Sequence, residues 1–344
     1  MFLLKKIIEL EKKIAPEVID ILENRYDILR NIYYNQPIGR RTLANQLGMG
    51  ERAVRTEVNI LKNQGLLNIE SMGMYVTNEG KNLLEDIKGL IHTIKGLTEL
   101  ESALENKLNI RKVLVVPGNS DESELVLKDM GRTAARFLKK IIKKSNIIGI
   151  TGGTTMAQVA EEMPKGKVAN DILVLPARGG LGKDVETQAN SIAANLAKKL
   201  DGNYRLLHVP DNIEQEAINA LLKVSEVKEF VDIIKKLDIL VFGIGRADVM
   251  AERRKVSEET IEELIDRGAV AEAFGHYFDT NGNRVWESIT VGLSLVDFKK
   301  VNNVIGVAGG EKKAEAIISI SSIREDMILV TDEGAARKIL KLVN

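Results

Sequence analysis

The chain has 344 residues, 44% of them hydrophobic and 28% charged, and its 49 basic and 49 acidic residues cancel. That length suits two domains, and the composition excludes a disordered chain. The lack of cysteine excludes disulfides, thiolate zinc sites and cysteine nucleophiles, and three distant histidines give no sign of a metal site. No stretch has the roughly 18–20 apolar residues of a membrane helix, and no signal peptide is evident. We expect a cytoplasmic protein without a cofactor or metal.

The first 77 residues have the pattern of a winged helix-turn-helix. Apolar residues at three- and four-residue spacing predict helices up to Pro37. Two short helices are then expected at 41–47 and 51–63, joined by a Gly-Met-Gly turn. Two short strands follow around a hairpin-type turn at 71–73, which would form the wing. In this class of fold the second short helix can lie in the major groove of DNA.

Local charge also favours DNA binding at this end of the chain. Between residues 30 and 62, six basic residues outnumber two acidic ones, inside a neutral protein. Val54, Val58 and Leu61 are spaced to bury one face of the second short helix, which leaves polar residues on the other. The predicted DNA contacts are Arg40, Arg41, Arg52, Arg55, Thr56 and Asn59. We expect Arg52 and Arg55 to reach base edges and the first two arginines to contact phosphate. A small helical bundle with solvated arginines is the alternative interpretation.

From residue 111 onward, apolar strands alternate with helical patterns, which predicts an α/β fold with a doubly wound parallel sheet. The strand candidates are 113–118, 147–151, 172–177, 204–210, 239–245, 304–310 and 327–332. A segment at 274–286 with Asn-Gly at its centre predicts a hairpin outside that sheet. One long helix is expected at 78–107. The predicted organisation is therefore a DNA-binding domain at 1–90, a linker or dimerisation helix at 91–110 and an effector domain at 111–344.

The stretch ITGGTT at 150–155 is the first candidate for a ligand site. An apolar strand ends there, two glycines allow a tight turn, and a helix pattern begins at Thr155. Backbone N–H groups and the positive end of a helix dipole at such a turn often bind phosphate. The alternative is a turn that needs glycine only for its geometry.

Three further strand ends combine glycine with basic residues. PARGGLGKD carries Arg178 and Lys183, and VAGGEKKAEA carries Lys312 and Lys313. FGIGRADVMAERR places Arg246, Arg253 and Arg254 after another strand. Ligands of doubly wound sheets bind outside the carboxyl ends of the strands, so a small, doubly anionic ligand fits best. Glu272 could accept hydrogen bonds from ligand hydroxyls, or it could form a structural ion pair.

Catalysis is not favoured by the residues near these loops. GIGRADVM resembles the Gly-x-Gly-x-Asp-Gly-His segment of glucosamine-6-phosphate deaminases, but Ala247 stands at the acidic position and Asp248-Val249 replaces Gly-His. The acid and base residues of such an enzyme are therefore missing, while the phosphate-binding glycines are kept. We expect no catalytic residue. A role for Glu272 or Asp248 as a base stays open.

The motifs together resemble the SorC/DeoR-type sugar-responsive repressors. The stretches that carry the resemblance span nearly the whole chain: GRRTLANQLG, GERAVRTEVNILKNQGL, ITGGTT, PARGGLG, EAFGHYF, GVAGG and LVTDEGAA. The resemblance implies a winged-helix domain joined to a Rossmann-like effector domain related to the sugar-phosphate isomerases. It also implies repression of a glycolytic operon that is relieved by fructose-1,6-bisphosphate, with double-stranded operator DNA and a second copy of the chain, in a dimer or tetramer, as partners.

The resemblance also implies a set of effector contacts. By motif position they are Thr151, Gly152, Gly153, Thr154, Thr155, Arg178, Arg253, Glu272, Gly309, Gly310 and Lys313. The neighbouring Arg254 is the alternative to Arg253. A phosphosugar isomerase or deaminase with an accessory helical domain is the competing function.

Overall fold

A computed structural model describes residues 2–179, 184–209, 215–288 and 290–343 of the chain. The chain folds as two compact units, Met1–Thr98 and Glu99–Asn344. Lys183, which the sequence suggested as a ligand contact, lies outside the described residues.

The first unit is a winged helix-turn-helix preceded by two helices. Its helices are α1 (Phe2–Ile14), α2 (Pro16–Asn35), α3 (Arg40–Leu47), α4 (Glu51–Asn63) and α5 (Asn78–Ile94), and its strands are β1 (Leu67–Glu70) and β2 (Gly73–Val76). The two strands pair antiparallel as the predicted wing. Gly48 ends α3 in the left-handed region, at φ 62°, where a residue with a side chain would be strained. Val54, Val58 and Leu61 bury the inner face of α4 as predicted.

The helix predicted at 78–107 is interrupted, and this expectation was wrong. The helix α5 stops at Ile94, and α6 (Leu97–Leu108) begins after Gly96. Gly96 has φ 64°, a left-handed conformation that ends helices and that glycine adopts without strain. The side chains of Ile91 and Ile94 pack in the core of the first unit. The role of residues 91–110 as a linker or dimerisation segment stays a prediction.

The second unit is built on a seven-stranded parallel sheet. Its strands are β3 (Lys112–Val116), β4 (Ile147–Ile150), β5 (Leu173–Pro176), β6 (Asn203–Tyr204), β7 (Ile239–Gly243), β12 (Asn303–Val307) and β13 (Ile328–Asp332). Their spatial order is β3-β13-β12-β7-β4-β5-β6. All seven predicted strands exist, but the one expected at 204–210 is only the two-residue edge strand β6, and residues 210–214 lie outside the described chain.

The strand order places a crevice between β4 and β7. After β4 the chain proceeds to β5 and β6 on one side, whereas after β7 it proceeds to β12 and β13 on the other. The loops that follow these two adjacent strands therefore diverge at their carboxyl ends. In doubly wound sheets such a point is where ligands bind.

A second, antiparallel sheet has the order β11-β10-β9-β8. Its strands are β8 (Gly245–Arg246), β9 (Ala271–Ala273), β10 (His276–Phe278) and β11 (Arg284–Glu287). The last two strands form the hairpin expected at 274–286 outside the main sheet. This small sheet begins directly after β7, so its residues lie beside the crevice.

Helices fill the connections of the second unit. They are α7 (Glu124–Ile141), α8 (Thr154–Glu161), α9 (Ala189–Leu200), α10 (Gln215–Leu221), α11 (Ser225–Ile234), α12 (Ala247–Arg253), α13 (Glu258–Asp266), α14 (Leu295–Phe298), α15 (Ala314–Ser321) and α16 (Glu333–Val343), with short 3₁₀ turns at Val185–Thr187 and Glu311–Lys313. The helices α7, α8 and α9 pack with the parallel strands in one buried apolar core. Within the described residues, none of the helices of either unit is long and apolar enough to cross a membrane.

Candidate functional site

An open cavity of about 110 Å³ lies at the crevice between β4 and β7. Nine of the eleven predicted effector residues line it: Thr151, Gly152, Gly153, Thr154, Thr155, Arg178, Arg253, Glu272 and Lys313. The other lining residues are Met156, Gly179, Ala189, Gly243, Ile244, Gly245, Met250, Arg254 and Phe274. Residues that are far apart in sequence thus meet in one cavity.

The Thr-Gly loop after β4 is held in a fixed shape. The hydroxyl of Thr151 accepts a hydrogen bond from the Gly243 amide at 3.1 Å, which leaves its own O–H able to donate. The Gly153 amide donates to the Thr187 carbonyl at 2.8 Å, and Gly153 has φ 111°, which favours glycine. The helix α8 begins at Thr154. Its first amides have no partner within the helix, an arrangement that favours an anion at this position.

A buried cluster of two arginines and one carboxylate forms the adjoining wall. Arg254 donates to Glu272 Oε1 at 2.5 Å and to the Ser288 hydroxyl at 3.1 Å. The Gly275 amide donates to the same carboxylate oxygen at 2.7 Å, and Arg178 Nη1 lies 3.8 Å from it. All three charged side chains are at least 94% buried. The structural ion pair considered for Glu272 therefore exists, and it leaves one excess positive charge in the cluster.

Two glycines allow Arg178 to occupy its place. A Cβ at Gly275, which has φ 96°, would lie 2.9 Å from Arg178 Nη1. A Cβ at Gly292 would lie 2.7 Å from the Arg178 Cα, and a β-bridge joins these two residues. The backbone on both sides of Arg178 is bonded to the segment at 291–293. Arg178 is thus held both by its backbone and by Glu272.

Arg253 and Lys313 supply positive charge at the more exposed part of the cavity. Arg253 is exposed and Lys313 is half-buried. Burial lowers the pKa of Lys313; Asp121 opposes this effect, Arg253 adds to it, and Asp332 also opposes it. A bound anion would favour the protonated form of Lys313.

Gly309 and Gly310 do not line the cavity, although both were predicted as effector contacts. The Gly310 amide donates at 2.8 Å to the buried carboxylate of Asp332, so this N–H is already engaged. Asp332 also accepts from the amides of Ser120 and Ala335, each at 2.8 Å. A Cβ at Gly309 would lie 2.4 Å from this carboxylate. Because glycine has no side chain, the loop at Gly309 and Gly310 approaches Asp332 closely. This close approach sets the position of Lys313, three residues further on.

Phe274 forms an apolar part of the wall and has an unusual backbone. Phe274 and Gly275 connect β9 to β10 with φ values of 39° and 96°. A bulky residue in this region is rare and strained. The Phe274 ring packs on Phe298, with ring centroids 4.8 Å apart, and edge-on against Phe242. These aromatic contacts hold the ring at the cavity wall despite the strained turn.

Two ionisable groups of β10 remain neutral near this cluster. Burial, together with the nearby Arg284, Arg178 and Arg254, lowers the pKa of His276 to about 4. Burial outweighs the opposing effect of Arg254 and raises the pKa of Tyr277 to about 12. Both side chains are therefore uncharged at neutral pH and add no charge to the cavity.

The stretch compared with the deaminases lies only partly at the cavity, which Gly243, Ile244, Gly245 and Met250 line. Arg246 and Asp248 form an ion pair with each other and line a separate groove. Burial raises the pKa of Asp248, but hydrogen bonds from Arg246 and the Val249 amide outweigh it and lower the pKa overall. Asp248 is thus an ionised, paired surface carboxylate rather than a base facing the cavity.

The sequence did not single out several lining residues. Arg254 was considered only as the alternative to Arg253, yet both line the cavity, one buried and one exposed. Gly243 and Gly245 were noted as the phosphate-binding glycines of the deaminase-like motif but were not predicted as effector contacts, and Met250 had no assigned role. The rule that ligands bind where neighbouring parallel strands diverge could have identified the two glycines. Phe274 has no sequence signal, because its conformation depends on the antiparallel sheet.

In the first unit, α4 presents the predicted DNA-contacting residues to solvent. Arg52, Arg55, Thr56 and Asn59 are exposed on α4, Arg41 is exposed on α3, and Arg40 is half-buried. Arg55 forms only a loose surface ion pair with Glu51 at 3.7 Å, which contributes little stability. Arg30, counted in the basic segment, is 92% buried in α2, because it lies on the inner face of that helix. It cannot contribute to an exposed basic patch.

A winged helix-turn-helix followed by an α/β unit with a cationic ligand cavity defines the class of ligand-responsive transcriptional regulators. Comparison with known families agrees for each unit. Residues 21–91 match the family model "CggR N-terminal DNA binding domain", and residues 92–341 match the model "Putative sugar-binding domain".

The chain is 42% identical to the central glycolytic genes regulator of Bacillus subtilis, over 98% of this chain and 99% of that protein. It is also 42% identical to the protein of the same name from Priestia megaterium, over 99% and 100% of the two chains. Among solved structures, a SorC family transcriptional regulator from Enterococcus faecalis is 38% identical, with TM-score 0.66 over 70% of this chain and 99% of that one. The full-length sorbitol operon regulator from Klebsiella pneumoniae, with 20% identity, shares the fold at TM-score 0.66 over 94% and 98% of the chains.

The chain belongs to the central glycolytic genes regulator family. It is a DNA-binding, sugar-modulated transcriptional repressor with a SorC-type sugar-binding domain. The family resemblance drawn from the sequence motifs is thereby confirmed.

Proposed function

We propose that the cavity binds fructose-1,6-bisphosphate and that its binding lowers the affinity of the first unit for operator DNA. The observation that carries the proposal is the charge of the cavity, which has four basic residues and one acidic residue next to a helix N-terminus. A phosphate monoester carries about −1.5 to −2 charge at neutral pH. Two such groups match two anion-binding features, the Thr-Gly loop and the Arg253–Lys313 pair. Arg178 and Arg254 add positive charge, and Glu272 can accept from sugar hydroxyls.

Thermal unfolding of the full chain with a panel of phosphosugars tests the ligand. The panel contains fructose-1,6-bisphosphate, fructose 6-phosphate, glucose 6-phosphate and dihydroxyacetone phosphate. At a hundred times its Kd, a bound ligand stabilises its domain by about 2.7 kcal/mol. A shift selective for the bisphosphate is expected. Equal shifts with the monophosphates, or none, would remove the bisphosphate from the proposal.

The operator and the assembly complete the proposed function. Helix α4 would enter the major groove, with Arg52 and Arg55 at base edges, and the chain would act as a homo-oligomer on repeated half-sites. Because its proposed partner is operator DNA, we expect the protein to act in the cytoplasm. Binding of a labelled operator fragment, measured with and without fructose-1,6-bisphosphate, tests the coupling between the two sites.

We infer that the protein is not an enzyme. Within the described residues, the two carboxylates considered as a base are both engaged: Glu272 by Arg254 and Asp248 by Arg246. This arrangement supports binding over proton transfer. Incubation with each phosphosugar, followed by product analysis, tests the competing isomerase or deaminase function, and turnover would reverse the inference.

A further inference from the structure

The turn between β9 and β10 holds an aromatic residue in a backbone conformation that does not suit it. His276 pairs with Ala273, so Phe274 and Gly275 form a two-residue hairpin loop. Both have positive φ, which a type I′ turn requires, and Asn-Gly is the favoured sequence for that turn. Gly275 adopts this conformation freely, whereas a phenylalanine in the left-handed region is strained.

The hairpin does not need a phenylalanine at this position. Asparagine would allow the same turn with less strain. The backbone of the turn is also held without the ring, because the Gly275 amide donates to Glu272 at 2.7 Å and the Ser288 amide donates to the Gly275 carbonyl at 2.8 Å. Strained residues of this kind cluster at functional sites, so the Phe274 side chain is a candidate for a role of its own.

Three neighbouring rings hold the Phe274 ring in one orientation. Phe298 covers one face, with centroids 4.8 Å apart and an angle of 31° between the ring planes. Phe242 and His276 pack edge-on, at centroid distances of 5.7 and 5.4 Å. Of these four described residues, Phe274 is the one that lines the cavity. The part of its ring that these neighbours leave uncovered is therefore presented to a ligand.

The ring lies beside the carboxylate proposed to accept from sugar hydroxyls. Phe274 follows Glu272 by two residues, and the hydrogen bond from Gly275 fixes the same turn to that carboxylate. A sugar carries C–H groups next to its hydroxyls, and the face of an aromatic ring is negative where such hydrogens are slightly positive. A phosphate group has no C–H surface and gains nothing from the ring.

We propose that Phe274 is a specificity-determining residue, whose ring packs against the C–H groups of the sugar and so selects a phosphosugar over an anion without a carbon skeleton. The inference rests on the proposed phosphosugar function and assigns its selectivity to one side chain. The basic residues and the N-terminus of α8 attract any phosphate. The aromatic wall favours only a ligand that also has apolar surface to bury.

Two matched variants test the role of the ring. Phe274→Leu and Phe278→Leu each remove one buried ring near the same hairpin, but of these two described residues only Phe274 lines the cavity. In calorimetric titrations of the full chain, Phe274→Leu is expected to bind fructose-1,6-bisphosphate about 10-fold more weakly, because apolar contact with the ligand is lost. Phe278→Leu should bind it like the natural chain. Equal losses in the two variants, or full affinity in Phe274→Leu, would overturn the proposal.

A second variant and a second ligand separate selectivity from folding. Phe274→Asn removes the ring but places a favoured residue in the turn, so the hairpin is expected to form. Inorganic pyrophosphate, which has two phosphate groups and no carbon, should compete equally well for the natural chain and for Phe274→Asn, while affinity for fructose-1,6-bisphosphate falls about 10-fold. Loss of both ligands by the same factor would indicate a purely structural role and overturn the proposal.

The natural chain distinguishes this failure from a failure of the proposed function. If the natural chain does not bind fructose-1,6-bisphosphate, the proposed ligand is wrong, and the titration shows this without any variant. If the natural chain binds it and Phe274→Asn binds it equally well, the ligand stands and the role of Phe274 is refuted.

Discussion

We expect the Arg178 side chain to be required for effector binding but not for folding. It lies in the cavity wall near Glu272, while Arg254 alone still pairs closely with that carboxylate. We expect Arg178→Ala to weaken effector binding by about 10- to 100-fold, because hydrogen bonds to charged groups contribute about 1.5–3 kcal/mol. Operator affinity without effector should not change. Thermal shifts with fructose-1,6-bisphosphate and operator titrations measure the two effects.

Arg132 provides the control for Arg178. It is also a largely buried arginine of the second unit, paired with Glu162 at 2.7 Å, but it does not line the cavity. Arg132→Ala should lower the melting temperature without changing the effector affinity. If Arg178→Ala retains full effector affinity, the site assignment is wrong.

His276 makes the stability of the second unit depend on pH in a defined window. Its pKa is about 4 in the folded protein, against 6.5 when exposed. The unfolded chain therefore binds an extra proton between these values, and stability is lost as pH falls from about 6.5 to about 4. The loss is about 3 kcal/mol from this residue. Urea unfolding across that range should show a shallower decline for His276→Gln than for the natural chain, and equal declines would contradict this expectation.

The turn between β9 and β10 approaches Arg178, a side chain that lines the cavity, through its backbone. Gly275→Ala places a methyl group 2.9 Å from Arg178 Nη1 at φ 96°. Gly268→Ala has a comparable φ of 68° but no atom within 4 Å of the new methyl. Both variants should lose about 1–2 kcal/mol from the left-handed backbone. Only Gly275→Ala should also lose effector affinity, which calorimetric titration would show. Equal affinities would mean that Arg178 adjusts freely.

Helix α4 carries the predicted operator contacts on one exposed face. The double variant Arg52→Ala/Arg55→Ala should lose specific operator binding, since each bidentate contact to a base edge contributes about 1–3 kcal/mol of discrimination. The stabilisation of the second unit by effector should be unaffected. Lys81→Ala, an exposed change on α5, is the control. Retained operator affinity in the double variant would place the recognition surface elsewhere.

How far the sequence could predict each element depends on how local its structure is. The Thr-Gly loop was predictable because strand, turn and helix are contiguous in it. The helix break at Gly96 was missed, since a helical pattern continues on both sides of one glycine. The strand expected at 204–210 was overextended, because an apolar run does not reveal that only two residues pair with β5.

At the scale of the whole molecule, only part of the assembled site could be predicted from the sequence. Strand order brings β4 beside β7, which explains why most motif residues meet in one cavity. Gly310 was predicted as an effector contact by its motif position in the family resemblance, yet its amide donates to Asp332. That carboxylate lies 22 residues further along the chain. The sequence around Gly310 therefore does not reveal that its amide donates to Asp332 instead of to a ligand.

The same Asp332 carboxylate joins three segments, through the amides of Ser120, Gly310 and Ala335. Lys313 follows one of these amides by three residues, and α16 begins between Asp332 and the last. The carboxylate thus ties together the loop after β3, the turn that precedes Lys313 and the first turn of α16. We therefore expect a ligand that contacts Lys313 to act on all three segments together, including the helix that ends the described chain.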